Sequence, residues 1–193
     1  MKLPKIKYNS PVILTFSTIC LIAFFFLGGT SLYQQYFVID SNFSNVTDYA
    51  SLVTYIFGHA DEAHILGNLT FILLLGPIIE EKYGGGSLAW MILVTAIVTG
   101  LIQVFVFPNI GLQGASGIVF MLIILVSFTN VHKGQIPLTF ILVVVLFIGK
   151  ELVESFQSDN ISQLAHILGG VCGGIFGFTI GKPRQIETYA GNY

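Results

Sequence analysis

The chain has 193 residues, of which 54% are hydrophobic and only 9% are charged, with a formal net charge of −2 and a mean hydropathy of +0.82. An ordinary soluble domain has roughly 25% charged residues, so this composition excludes one and indicates a protein embedded in the lipid bilayer. The net charge and the absence of a Lys/Arg cluster in the sequence also exclude nucleic acid as a partner.

Six apolar segments are long enough, or nearly so, to cross a bilayer as a helix, which takes about 20 residues. They are residues 12–29, 63–79, 88–107, 116–131, 135–153 and 161–181. The sequence therefore predicts an all-α polytopic membrane protein with six transmembrane helices, forming one domain over residues 1–193. Residues 30–62 form the one long connection.

The positions of Lys and Arg predict the orientation, because these residues resist transfer across the membrane. With the N-terminus inside, seven of the eight lie on the cytoplasmic side: Lys2, Lys5, Lys7, Lys82, Lys133, Lys182 and Arg184. Lys150 alone falls toward the outside. We therefore predict that both termini are cytoplasmic and that the long first connection is external.

The second segment begins with polar residues that a membrane helix rarely carries. His64 and Asn68 are four residues apart, so they share one helix face, and such groups face the bundle interior or a wet cavity. Because two histidines and two carboxylates fall within residues 59–64, a metal site is an alternative. The spacing differs from the helical His-Glu-x-x-His zinc motif, and Asp61 and Glu62 are typical of a solvated helix start. We predict no metal here and a structural role for His59.

The fourth segment begins in a glycine-rich stretch, Gln113-Gly114-Ala115-Ser116-Gly117. Gly114 and Gly117 lack Cβ atoms and so allow close approach of the backbone. The segment is short for a full span, which indicates that its helix begins below the membrane surface, beside a wet cavity. A serine between glycines is also typical of simple helix packing or capping. Ser116 alone therefore does not establish chemistry.

The sixth segment carries His166 at the start of a glycine-lined face. The glycines follow at positions 169, 170, 173, 174 and 177, which lie on one side of a helix and allow a neighbouring backbone to approach closely. If that neighbour carries Ser116, the two residues form the nucleophile and base of acyl transfer. The alternatives are that His166 only makes an interhelical hydrogen bond, or that Lys150 is the base. Lys150 follows an apolar run, so we expect it to extend to the membrane interface.

These motifs, in their order along nearly the whole chain, resemble those of the rhomboid intramembrane serine proteases. The matching elements are His59, His64-x-x-x-Asn68, Gly76-Pro77-x-x-Glu80-x-x-x-Gly84, Gly114-Ala115-Ser116-Gly117 and Ala165-His166-x-x-Gly169. The resemblance implies a rhomboid-like six-helix bundle in which Ser116 is the nucleophile and His166 its base. It implies an oxyanion hole formed by His64, Asn68 and the backbone N–H of Ser116. It also implies transmembrane protein substrates, no cofactor and, for so small a core, a bacterial cell membrane.

The chain departs from the family pattern at two places. Many members have Trp-Arg where this chain has Ala50-Ser51, so the outer connection must be held in another way. Phe120 stands where members often have a tyrosine packed on the catalytic histidine, so ring stacking is retained without a hydroxyl. Glu80 is interpreted as a fold-holding or solvated residue and not as an acid catalyst.

Two other kinds of function remain open from the sequence, namely a non-catalytic rhomboid-like protein that binds membrane clients and a small transporter. Transporters usually contain internal repeats, and the two halves of this chain show no convincing match. Inactive relatives typically lack the serine or the histidine, whereas Ser116 and His166 are both present. The sequence therefore favours the protease, and it predicts no particular oligomeric state.

Overall fold

A computed structural model describes residues 8–39, 43, 45–108, 110–128, 137–155 and 160–180. Within these residues the regular structure is helical, as expected, apart from one isolated antiparallel bridge between Ile39 and Leu112. The α-helices are α1 Pro11–Ile22, α2 Ser31–Phe37, α3 Ser51–Thr54, α4 Glu62–Tyr83, α5 Gly85–Val106, α6 Ser116–Phe128, α7 Leu138–Ser155 and α8 Asn160–Thr179.

Each of the six predicted segments contains a long helix, but the helix ends differ from the limits of the apolar runs. The first helix continues as a π-helical turn over Ala23–Leu27. The second predicted segment ends at residue 79, whereas α4 continues to Tyr83, because a helix does not stop where charged residues replace apolar ones. Gly84 alone separates α4 from α5, and its φ of 85° is one that glycine adopts readily. The connection expected over residues 80–87 is therefore almost entirely helical.

The long first connection is itself folded. It contains α2 and α3 together with 3₁₀ turns over Val46–Ala50 and Tyr55–Phe57. The side chain of Thr30 caps α2 by accepting a hydrogen bond from the backbone N–H of Tyr33 at 3.1 Å. These local hydrogen bonds hold short elements that would not persist as isolated helices.

The helix α6 forms the centre of the molecule. It packs against α4, α5, α7 and α8, and Met121, Leu122 and Leu125 are completely buried. By contrast, large apolar side chains lie exposed around the outside, with Phe105 81% exposed and Phe178 80% exposed. A surface of this kind is suited to lipid and not to water.

By length and composition alone, two helices of the described residues, α4 and α5, are long and apolar enough to cross a membrane. The helix α6 is apolar over its 13 described residues, Ser116–Phe128. The count of six spans and the orientation of the termini remain predictions from the sequence.

The N-terminus of α1 is capped by a side chain from another helix. The backbone N–H groups of Val12 and Ile13 each donate to the Glu80 carboxylate at 3.0 Å, while Ser10 at the N-cap makes no side-chain cap bond. Glu80 is only 6% exposed. Of the two roles open for Glu80, the structure supports holding the fold.

Candidate active site

The N-terminal turns of α4 carry His64 and Asn68. The Asp61 carboxylate caps the helix by accepting a hydrogen bond from the backbone N–H of His64 at 2.8 Å. Asn68 lies one turn further and is buried, and its Nδ2 has no hydrogen-bond partner among the described residues. An unpaired buried donor is costly in most proteins, so this amide is a candidate for binding a reacting group.

The backbone before Ser116 passes directly against these two side chains. A Cβ added to Gly114 would lie 2.7 Å from both Cε1 and Nε2 of His64 and 3.9 Å from Nδ2 of Asn68. Gly114 also has a φ of 128°, a conformation that L side chains rarely adopt. Glycine is therefore required at this position by space and by backbone conformation together.

Ser116 is the first residue of α6 and is partly buried. The first N–H groups of a helix have no intrahelical partner and point out of its positive end. The backbone N–H of Ser116 therefore belongs to the end of α6 that favours negative charge.

The helices α6 and α8 are in backbone contact at this level. A Cβ on Gly169 would lie 2.0 Å from the carbonyl oxygen of Gly117, and a Cβ on Gly117 would lie 3.3 Å from that of Ala165. Glycine at both positions is what allows the approach. The expected glycine-lined contact between the helix of Ser116 and the helix of His166 is thus present.

The imidazole of His166 stacks on the ring of Phe120, with 4.4 Å between the ring centroids and 6° between the planes. Phe120 follows Ser116 by four residues and so lies on the same face of α6. This confirms that phenylalanine retains the ring stacking at this position. It also brings the face of α6 that carries Ser116 opposite His166.

His59 lies just before α4 and is 2% exposed. Its ring packs edge-on against the ring of His64, with 5.1 Å between centroids, and its Nδ1 lies 3.2 Å from the carbonyl oxygen of Phe57. Burial, with a smaller contribution from the nearby His64, lowers the pKa of His59 to about 4. The imidazole is therefore neutral at physiological pH.

The first connection is held against the backbone that leads to Ser116. Ile39 and Leu112 exchange two backbone hydrogen bonds, at 2.9 and 3.0 Å, and the backbone N–H of Gly114 donates to the carbonyl of Tyr55 at 3.0 Å. These bonds hold the outer connection in a chain that has Ala50-Ser51 in place of Trp-Arg.

A side-chain cluster adds to this contact. The Tyr33 hydroxyl accepts a hydrogen bond from the backbone N–H of His59 at 2.6 Å and lies 2.9 Å from Oε1 of Gln113. Sequence reasoning did not identify Tyr33, Tyr55 or Gln113 as contributors to the site. Only the position of Gln113, next to the glycine-rich stretch, was a signal.

The two alternatives raised from the sequence concern a metal and a lysine base. Within the part of the chain that the structure describes, no group of three or more His, Cys, Asp or Glu side chains is placed to hold a metal ion. The side chain of Lys150 lies outside the described residues.

Comparisons with known proteins all indicate the same family. A family model described as a Rhomboid domain matches residues 46–183. Rhomboid-related protein 1 of Caenorhabditis elegans is 33% identical over 137 residues, covering 66% of this chain and 38% of that protein. Rhomboid protease GlpG of Haemophilus influenzae is 28% identical over 130 residues, covering 66% of this chain and 67% of that protein. Rhomboid protease GluP of Bacillus subtilis is 30% identical over 139 residues, covering 69% of this chain and 26% of that protein.

The region that matches the family model contains the whole cluster built on α4, α6 and α8. The relatives differ widely in length, and this chain spans well under half of Rhomboid-related protein 1 and of GluP. The chain therefore belongs to the rhomboid family of integral membrane proteins, which includes intramembrane serine proteases.

Proposed function

We propose that the chain is an intramembrane serine endopeptidase that cleaves transmembrane segments of other proteins with a Ser116-His166 dyad. The observation that carries the proposal is the backbone contact of α6 with α8, together with the stacking of Phe120 on His166. This contact supports the pairing of Ser116 on α6 with His166 on α8. The names Rhomboid protease given to GlpG and GluP support the same activity.

In the proposed reaction, the Ser116 hydroxyl oxygen attacks the carbonyl carbon of the scissile peptide bond while His166 accepts its proton. The tetrahedral intermediate collapses when His166 donates that proton to the departing amine, which leaves an acyl-enzyme. Water, activated by His166, then hydrolyses the ester and regenerates the serine. A neutral imidazole is required to start the cycle.

Three donors are proposed to bind the developing oxyanion, namely Nδ2 of Asn68, the His64 imidazole and the backbone N–H of Ser116. The buried Nδ2, which has no partner among the described residues, supports this role for Asn68. The proximity of Gly114 to both side chains supports the idea that the donors and the scissile carbonyl share one pocket. Donors aimed at a developing charge are commonly the largest single contribution to such catalysis.

The membrane arrangement proposed with this activity has six spans, formed by α1 and α4 to α8, with both termini in the cytoplasm. The dyad then lies toward the outer side of the bilayer, because α4, α6 and α8 all begin there. The substrates are transmembrane proteins.

The test is cleavage of a model single-span substrate in detergent, combined with labelling by a fluorophosphonate probe. We expect Ser116→Ala and His166→Ala each to abolish cleavage, and the double variant to be no worse than either single one. Ser127→Ala is a matched control, because Ser127 also lies on α6, where its hydroxyl donates to the backbone carbonyl of Ile123 at 3.0 Å. Cleavage by either dyad variant would contradict the assignment. A parent protein that binds the substrate without cleavage or labelling would instead be the non-catalytic client-binding protein.

A further inference from the structure

Tyr33 lies in α2 of the outer connection, and its side chain is 5% exposed. Its hydroxyl accepts a hydrogen bond from the backbone N–H of His59 at 2.6 Å. It also lies 2.8 Å from the carbonyl oxygen of His59 and 2.9 Å from Oε1 of Gln113, and it donates its one proton to one of these oxygens. Burial raises the pKa of Tyr33, so the hydroxyl keeps that proton.

The two segments that meet at this hydroxyl both contact the proposed oxyanion donors. His59 packs its ring against that of His64, with 5.1 Å between centroids. Gln113 immediately precedes Gly114, whose backbone lies against His64 and Asn68. Tyr33 itself lies 26 residues from His59 and 80 from Gln113 in the sequence. One side chain of the outer connection thus joins the start of α4 to the backbone that leads into Ser116.

We propose that Tyr33 is a positioning residue for the proposed reaction, with its hydroxyl fixing the donors of α4 relative to the N–H of Ser116. The inference rests on the proposed function and adds a residue to it. The His64 and Asn68 side chains come from one element and the Ser116 N–H from another, so their convergence depends on how the two elements are held. Tyr33 joins them through His59 and Gln113, in addition to the direct contact of Gly114 with His64.

The primary test is Tyr33→Phe, which removes the hydroxyl and keeps the ring. Because a misplacement of about 1 Å can lower a rate by about 100-fold, we expect kcat to fall by about 10- to 100-fold and KM to change by less than about twofold. Thr95→Val is the matched control, because it also removes a buried hydroxyl. That hydroxyl donates a hydrogen bond to Sδ of Met121 at 3.1 Å. It should lower the melting temperature comparably and keep kcat near the parent value.

A double-variant comparison separates positioning from general stabilisation. If Tyr33 acts through the oxyanion donors of α4, Tyr33→Phe should lower kcat by less than about threefold in a background that carries both His64→Ala and Asn68→Ala, since both positioned donors are then absent. Gln113→Leu provides a second variant that leaves the His59 backbone bond to Tyr33 intact. We expect it to lower kcat in the same direction, which keeps the test decisive should Tyr33→Phe not fold.

Unchanged kcat in Tyr33→Phe and in Gln113→Leu would overturn the inference. So would an equal loss of kcat with and without the His64 and Asn68 side chains. In either case, cleavage by the parent and its loss in Ser116→Ala would leave the proposed function standing. If the parent neither cleaves nor is labelled at Ser116, the proposed function fails, and the role of Tyr33 in it fails as well.

Discussion

At the scale of single residues, the buried amide of Asn68 lowers the stability of the fold. Its Nδ2 is buried without a partner among the described residues, a situation that costs about 1–3 kcal/mol for a neutral group. A donor held in this way needs no rearrangement when negative charge appears beside it. The same unpaired position of Nδ2 thus lowers the stability of the fold and supports the proposed role of Asn68 in catalysis.

We therefore expect Asn68→Ala to lower kcat by about 10² to 10³, the effect of losing one oxyanion donor, with KM nearly unchanged. His64→Ala should act in the same direction. The measurement is turnover of the model substrate, with the melting temperature recorded in the same detergent. Parental turnover in Asn68→Ala would remove this residue from the proposed site.

The burial of His59 predicts that the stability of the fold depends on pH. The pKa of His59 falls from 6.5 in the unfolded chain to about 4 in the fold, chiefly through burial and secondarily through His64. The unfolded state therefore binds the proton more readily, so this contribution to stability is complete above pH 6.5 and is lost as the pH falls toward 4. The loss amounts to about 3 kcal/mol at its limit.

The check is the melting temperature of the parent and of His59→Gln between pH 7.5 and 4.5. We expect the parent to lose more stability across this range than the variant, while the other titrating groups affect both alike. Parallel curves for the two proteins would mean that His59 is not buried in its neutral form.

At the scale of elements, two contacts between helices depend on individual residues. The first is the Glu80 carboxylate, which accepts both N-terminal N–H groups of α1. Glu80→Ala removes the acceptor of these two N–H groups, which lowers the free energy of unfolding by about 1–3 kcal/mol for each group. We expect a lower melting temperature with the dyad unaffected, so turnover per folded molecule should stay near the parent value. Glu81→Ala, at the exposed neighbouring position, is the control and should melt with the parent.

The second contact is the glycine-lined face of α8. Gly169→Ala would place a Cβ 2.0 Å from the carbonyl oxygen of Gly117, so the two helices must separate. Gly174→Ala meets nothing within 4 Å among the described residues, and alanine favours a helix by about 1 kcal/mol. We expect Gly169→Ala to lose both stability and turnover and Gly174→Ala to melt at or above the parent temperature. Thermal unfolding of both variants, with cleavage rates, distinguishes a specific contact from a general preference for small residues.

The elements also show which features sequence reasoning could predict. The glycine positions on α8 and the spacing of His64 and Asn68 are local patterns of a single helix. Of the five predicted glycines, a Cβ on Gly169, Gly173 or Gly177 would come within 2.5 Å of a neighbour, whereas the prediction is wrong for Gly174, where nothing described lies within 4 Å. The contact of Ile39 with Leu112 and the cluster around Tyr33 join segments far apart in sequence. No local periodicity encodes such pairings, so residues 30–62 appeared as a plain connection although they contain folded elements.

At the scale of the whole molecule, the distribution of Lys and Arg predicts the orientation in the membrane. In a background without Cys20 and Cys172, both buried, a cysteine at Glu81 should be labelled by a membrane-impermeant reagent only after the inner face is exposed. A cysteine at Val46, where the side chain is 89% exposed, should be labelled from outside. The opposite pattern would invert the topology and place the candidate site on the inner side.

The bridge between Ile39 and Leu112 also has a consequence for the timing of biosynthesis. The two residues are 73 positions apart, so a ribosome adding about 5–20 residues per second takes about 4–15 s to go from one to the other. Until then the backbone that precedes Ser116 does not exist, and His166 is made later still. A nascent chain therefore carries its outer connection well before it possesses either member of the proposed dyad, so the proposed reaction cannot take place during that interval.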